Sequence, residues 1–252
     1  MIAFHLPNLR QVFGWLFIIM ILSFGIGGVL LILETDSPNS LREGYSEFNF
    51  PSKDIEKARV NLAVDTGSIH ISGQSMEYLL SGDVHVEAKH YLPRLTHSVT
   101  NKTMNIAIDR PRDIFHDIIG GEERWDVKIH NQTPISLLLS VGTGDIYIQP
   151  GNAQISELSL ESGAGSLYLD IHEWKGDSLP IRIENGAGDI TILFPERSRV
   201  NVALDRAIGN IFLTGFTGDD TGYYHETRDP DAPVIHVTIS QGIGDITLRT
   251  VE

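Results

Sequence analysis

Residues 134–148 read PISLLLSVGTGDIYI: an alternating apolar strand, a Gly-Thr-Gly-Asp turn, then a second short strand of the form apolar-x-apolar. The same form returns as ISELSLESGAGSLYL at 155–169, PIRIENGAGDITI at 180–192, VNVALDRAIGNIFL at 200–213 and PVIHVTISQGIGDITL at 233–248. An earlier copy, VNLAVDTGSIHI at 60–71, and a half-copy, SGDVHV at 81–86, begin the series. The residue after the second glycine falls at Asp145, Ser166, Asp189, Asn210 and Asp245, giving intervals of 21, 23, 21 and 35. The last interval is long because Thr214–Ala232 interrupts the repeat. Period-2 alternation throughout argues for strands. A near-constant spacing in this range argues for stacked units, none of which buries its apolar face alone.

Alternation assigns the faces. Ile135, Leu137, Leu139 and Val141 point inward with Leu158/Leu160, Ile181/Ile183, Val200/Val202/Leu204 and Val237/Ile239. After each turn the inward pairs are Ile146/Ile148, Leu167/Leu169, Ile190/Ile192, Ile211/Leu213 and Ile246/Leu248. The structural turns are Gly144-Asp145, Gly165-Ser166, Gly188-Asp189, Gly209-Asn210 and Gly244-Asp245. Glycine supplies the positive φ of a tight bend, and the residue after it accepts backbone N–H bonds inside the turn. Pro134, Pro180 and Pro233 sit at strand starts, where a missing N–H costs least. Short helices are expected only at Asp54–Ala58 and Arg110–Gly120.

If units stack in chain order, the turn residues align about 4.8 Å apart. Two carboxylates at that distance repel by roughly 1 kcal/mol in water and about 3.5 kcal/mol at an effective dielectric of 20. The order Asp, Ser, Asp, Asn, Asp then interleaves a neutral residue between charges. A calcium ladder favours adjacent carboxylates instead.

The N-terminal region differs. Val12–Leu33 (VFGWLFIIMILSFGIGGVLLIL) is uncharged over 22 residues. As a helix at about 1.5 Å per residue it spans about 33 Å, enough for a hydrocarbon core of about 30 Å. Arg10 precedes it, while Glu34, Asp36, Glu43 and Glu47 follow it. The expectation is a cytoplasmic N-terminus (1–11), a transmembrane anchor (12–33), a linker (34–54) and an extracytoplasmic β domain (55–252). Beyond residue 33 lie 18 Lys and Arg against 33 acids, a balance of 18 − 33 = −15. That excludes nucleic acid as a partner. With no cysteine in the chain, disulfides, thiol catalysis and Cys-ligated zinc are excluded together.

Outward residues of the second strands form a row: His70, His85, Tyr147, Tyr168, Thr191, Phe212 and Thr247. Such residues suit any pleated surface. The cluster Tyr147, Tyr168 and Phe212, with His70 and His85, is also the best candidate interaction face, a flat platform for a glycan, a peptide or another copy. The loop at 217–232 (TGDDTGYYHETRDPDA) offers Asp219, Asp220, Glu226, Asp229 and Asp231 as calcium ligands, but without EF-hand spacing. Among ten histidines, His70, His85 and His90 are the nearest to a zinc set, yet no HExxH helix exists. A nucleophile elbow and a P-loop are both absent, and strands rather than helices follow the glycines. The reading therefore assigns no catalytic, cofactor or metal residues.

At the Val60–Ile71 segment, the Trp125-Asp-Val-Lys-Ile run leading into Pro134-Ile-Ser-Leu, and the successive Gly-x-Gly turns, the sequence resembles the toast-rack β-solenoid domains of bacterial envelope proteins. These include adhesins and LiaF-type cell-wall-antibiotic-response proteins. The resemblance covers about residues 55–250 and implies an all-β, single-stack β-solenoid behind one N-terminal transmembrane helix. It implies a non-enzymatic scaffold in the cell envelope whose partner is a protein, a cell-wall glycan or a second copy. Two alternatives stand beside it. One is a carbohydrate-active β-helix enzyme using Asp145 and Asp189. The other is an accessory regulator of a membrane sensor kinase, by analogy with some LiaF-type proteins.

Overall fold

A computed structural model describes residues 44–86, 92–109, 123–219 and 222–252. The strands in chain order are β1 (Gly44–Pro51), β2 (Lys57–Thr66), β3 (Ser68–Gln74), β4 (Tyr78–Val86), β5 (Arg94–Thr100), β6 (Thr103–Asp109) and β7 (Arg124–His130). The repeats supply β8 (Ile135–Thr143), β9 (Ile146–Gln149), β10 (Ile155–Ala164), β11 (Leu167–Asp170), β12 (Ser178–Ala187), β13 (Ile190–Pro195), β14 (Arg199–Ile208) and β15 (Ile211–Thr214). Then come β16 (Thr217–Asp219), β17 (Gly222–His225), β18 (Val234–Ile243) and β19 (Ile246–Val251). Among the described residues no helix is long and apolar enough to cross a membrane; the expected anchor at 12–33 lies outside them.

The strands form two sheets. Sheet A runs β1-β4-β7-β3-β9-β11-β13-β19-β15, and sheet B runs β16-β17-β14-β18-β12-β10-β8-β2-β6-β5. The rungs β2–β3, β8–β9, β10–β11, β12–β13, β14–β15 and β18–β19 each cross from sheet B through a glycine turn into sheet A. Rung pairs with rung in parallel, so like residues align. Val60, Leu137, Leu158, Ile181, Val237 and Val202 form one buried row in sheet B. Ile69, Ile146, Leu167, Ile190 and Ile246 form its counterpart in sheet A. Full burial of each such side chain stabilises by roughly 1.5–3 kcal/mol, so these rows, more than the backbone ladder, hold the stack together.

A polar row lies inside, at the inward position before the turns, where Ser162, Asn185 and Gln241 are buried in register with Val141. Asn185 Nδ2 and Gln241 Nε2 both donate to the carbonyl of Gly188, at 3.0 and 2.6 Å. In the last rung Arg206 Nη1 donates to the carbonyl of Gly209. Asn185, Gln241 and Arg206 thus give the turn carbonyls of Gly188 and Gly209 side-chain donors.

Stacking departs from chain order at the end. The β18–β19 rung lies between β12–β13 and β14–β15, so the fourth repeat is the terminal rung and the fifth is inside. The long 214–232 interval permits this. Its chain forms the β16–β17 hairpin, antiparallel to β14 at Val200–Ala203, then returns to insert β18 as a crossover. Phe216 and Tyr223 from this interval close part of the core. Ile211 and Leu213 keep the inward side, in register with Ile246 and Leu248, but the terminal position leaves them partly uncovered. Ile211 is half-buried and Leu213 is 38% exposed, because among the described residues no strand of sheet A follows β15.

Two local expectations change. Residues 44–51, placed in the linker, form β1, which pairs antiparallel with β4 and buries Phe48 and Phe50. No helix forms at Asp54–Ala58. Asp54 adopts φ +63°, which a helix excludes, Ile55 N–H closes a turn onto Ser52, and β2 begins at Lys57. The helix expected at Arg110–Gly120 lies outside the described residues.

Candidate interaction face

The outward face of sheet A carries one continuous cross-strand row. From β1 to β15 it runs Glu47, Asp83, Asp126, His70, Tyr147, Tyr168, Thr191, Thr247, Phe212. Parallel register brings three rings together: His70 to Tyr147 at 4.7 Å and Tyr147 to Tyr168 at 6.5 Å between centroids. His70 is exposed, Tyr147 is 38% exposed and Tyr168 is half-buried. Two residues along the same strands, Gln149, Asp170 and Arg249 set polar groups beside the rings. Burial, with the Asp170 charge behind it, raises the Tyr168 phenol above its ordinary value, and Arg249 offsets part of this. The phenol therefore stays protonated and offers a donor beside an apolar ring face.

Two residues expected in this cluster lie elsewhere. His85 is on antiparallel β4, opposite Tyr45 and Arg124, and its ring contacts Tyr45 at 4.9 Å. Its Nε2 lies 3.4 Å from Asp83 Oδ2. Phe212 shares the row, but Thr191 and Thr247 separate it from Tyr168 because β15 is the terminal strand. Tyr45, Asp83 and Asp126 were missed as members of this face. The period-2 pattern of 44–50, 81–86 and 124–130 is the signal that could have found them. Tyr45 is 54% exposed. Its hydroxyl is raised above the usual phenol range by desolvation and then by Asp83 and Glu47.

The turn carboxylates act between rungs rather than within turns. Asp145 Oδ1 accepts the Ser166 N–H at 2.8 Å, and Asp189 Oδ1 accepts the Asp245 N–H at 2.9 Å. Asp245 Oδ1 accepts the backbone N–H and the side-chain Nδ2 of Asn210, at 2.7 and 3.1 Å. The rung order sets Asp189 directly beside Asp245, so interleaving with neutral residues does not hold. Compensation comes from backbone N–H donors, as a carboxylate at a helix N-cap is compensated. Asp245→Ala is expected to cost about 1 kcal/mol, discounted for exposure, and to fray β15 first. Hydrogen exchange at the Asn210 amide checks this; unchanged protection there would refute the assignment.

Among the described residues no three His, Asp or Glu side chains are grouped to hold a metal. Within the interrupting loop, Asp229 Oδ1 accepts the Asp231 N–H at 3.0 Å, and Thr227 Oγ1 accepts the Asp229 N–H at 3.4 Å. These acids build the turn. Asp220 and His90 lie outside the described residues. An open groove at the loop end is lined by Asn152, His172, Lys175, Arg197, His225 and Arg228. Three of these are engaged locally. His172 pairs with Asp170 at 2.5 Å, Arg197 donates to the Trp174 carbonyl, and the His225 ring contacts the carbonyls of Gly215 and Glu196.

The family model for the N-terminal domain of toast-rack proteins matches residues 38–193. This chain belongs to the toast-rack family. A solved structure described as a candidate cell adhesion protein from Clostridium sporogenes aligns with TM-score 0.77 at 22% identity. The alignment covers 83% of this chain and all of that one, and it shows a shared fold. A candidate adhesin from Bacteroides fragilis aligns with TM-score 0.32 at 13% identity, over 82% of this chain and 97% of that one. Among curated proteins, none matches the chain.

Proposed function

We propose that this toast-rack protein is a non-enzymatic envelope scaffold. Its Val12–Leu33 segment anchors it in the membrane with the N-terminus cytoplasmic, and the β-solenoid stands outside. Contact with a protein or cell-wall glycan partner is made by the outer face of sheet A around His70, Tyr147 and Tyr168. The observation that carries this reading is the contiguous run of three rings on a rigid parallel sheet, beside polar Gln149, Asp170 and Arg249. Rigid aromatic rings give contact area at low entropic cost, and polar neighbours give orientation. The uncharged 22-residue segment after Arg10 supports the anchor. The similar structure described as a candidate cell adhesion protein is in keeping with an adhesive role.

The test compares full-length protein with a Tyr147→Ala/Tyr168→Ala double variant, in binding to isolated cell walls and in crosslinking in native membranes. Both tyrosines point outward, so the variant is expected to fold. Loss of two central rings is expected to weaken binding at least about tenfold. Undiminished binding by a folded double variant refutes this face as the contact.

A further inference from the structure

The geometry points to self-association: β15 pairs antiparallel with β15 of a second copy, about a two-fold axis at Phe212. The described residues leave four sheet edges, β1 and β15 in sheet A and β16 and β5 in sheet B. Three are blunted in ways that discourage strand addition. β1 carries Glu47 and ends in Pro51, β5 carries Arg94 and His97, and β16 is three residues long. β15 has neither charge nor proline. It lies in an uncharged run, IGNIFLTGF at 208–216. Around it Ile208 is 64% exposed, Phe212 54%, Leu213 38% and Ile243 56%, with Ile208 and Ile243 in register on β14 and β18.

A second copy fits because the edge is self-complementary, and charge limits where it can dock. The chain carries −14, so two copies repel over most of their surface. Pairing through β15, which carries no charge, lets like-charged copies approach without setting charge against charge on the edge strand itself.

Backbone geometry selects the register. Ile246 N–H donates to the Asn210 carbonyl at 2.9 Å. In a parallel ladder that turns the Phe212 N–H and C=O toward β19 and leaves those of Ile211 and Leu213 at the open edge. An antiparallel copy centred on Phe212 then makes Ile211–Leu213 and Leu213–Ile211 its hydrogen-bonded pairs, satisfying all four free groups. Phe212 faces Phe212 as the close non-hydrogen-bonded pair. Inward Ile211 and Leu213 cover their counterparts, so the terminal rung gains the neighbour it lacks, and the two phenyl rings meet on the outer face. The β16–β17 hairpin covers β14 only at Val200–Ala203, away from the turn. A two-fold at Phe212, near the turn, staggers the copies and leaves each hairpin clear of the other. Such an interface is isologous and closes as a dimer.

The native chain contains no cysteine, so Phe212→Cys introduces a lone thiol. The close antiparallel pair places its Cα atoms about 4.5 Å apart, within disulfide range. Full-length Phe212→Cys and the control Tyr147→Cys are oxidised in membranes and read on non-reducing gels. The expected result is homodimer formation by Phe212→Cys at least about tenfold faster than by the control, from the high effective concentration of the facing thiol. Adding Leu213→Lys to Phe212→Cys sets a charge against the apolar Ile211 of the other copy and two like charges on the diagonal, and is expected to abolish that advantage. Equal rates for the two thiols, faster dimerisation through Tyr147→Cys, an adduct of Phe212→Cys with a different protein, or an advantage that survives Leu213→Lys would each overturn the proposal.

Discussion

Gly165→Ala is expected to lower the stability of the β-solenoid by about 3–5 kcal/mol, the range of the most damaging single substitutions. Gly165 sits at φ +137°, where an L side chain costs about 1–3 kcal/mol whatever the space around it. Space is lacking too. A Cβ there would lie 2.0 Å from the Gly144 carbonyl oxygen and 2.5 Å from its carbonyl carbon. The obstacle is backbone of the neighbouring rung, so no rotamer change relieves it. Moving either rung breaks the ladder through the turns, in which Gly144 N–H donates to the Ala164 carbonyl and Gly165 N–H to the Ala187 carbonyl, both at 2.8 Å. Gly151→Ala is the matched control. Its φ is +56°, but the nearest atom to a new Cβ is the Glu173 carboxylate at 3.3 Å, the end of a flexible side chain. That variant is expected to cost about 1–2 kcal/mol. Thermal unfolding of the full chain in detergent, followed by β-sheet circular dichroism, separates them. Gly165→Ala is expected to melt about 6–20 °C lower, at about 2–4 °C per kcal/mol for a domain of this size. A Gly165→Ala melt no lower than that of Gly151→Ala would falsify the account of the turn.

The same turns show what could be read from residues alone. Alternation and the Gly-x-Gly spacing are local properties, and they place Tyr147 beside Tyr168 correctly because the β9 and β11 rungs stack in chain order. Rung order is not local. Nothing in the fourth or fifth repeat distinguishes chain-order stacking from insertion of β18–β19 ahead of β14–β15, since both repeats carry the same apolar pattern. Two expectations fail from that one cause, neutral spacing of Asp189 and Asp245 and burial of Leu213; Phe212 also moves one strand further from Tyr168, though Thr191 separates them in either order. His85 fails for a different reason. Its half-copy pairs antiparallel through β4 with β1 and β7, so it falls out of register with the parallel rungs. The polar inward positions Asn185 and Gln241 were hidden because their purpose, satisfying the Gly188 turn carbonyl, is visible only once that carbonyl is placed.

Trp174→Ala is expected to destabilise by a similar amount, about 3–5 kcal/mol, although the residue lies in the connection between β11 and β12 where no repeat pattern reaches. Its side chain is 1% exposed and belongs to the main core cluster. The indole Nε1 donates to the Ile155 carbonyl at the start of β10, at 3.1 Å. Its own N–H donates to Ile171 at 2.9 Å, and its carbonyl accepts from Arg197 Nη2 at 3.0 Å. Gly176 lies against the ring, where a Cβ would meet Cζ2 at 2.4 Å. The tryptophan thus closes the loop end of the core and ties the β11–β12 connection to β10 and to the turn before β14. Alanine removes the filling volume and also leaves the Ile155 carbonyl unpaired. Trp174→Phe keeps most of the volume and loses only the donor, so it is expected to cost about 1–2 kcal/mol. Denaturant unfolding of both variants divides packing from hydrogen bonding. A Trp174→Ala loss no larger than that of Trp174→Phe would mean that the ring fills no core. The loop end would then be held by backbone bonds alone, and Gly176 would have no packing reason to be glycine.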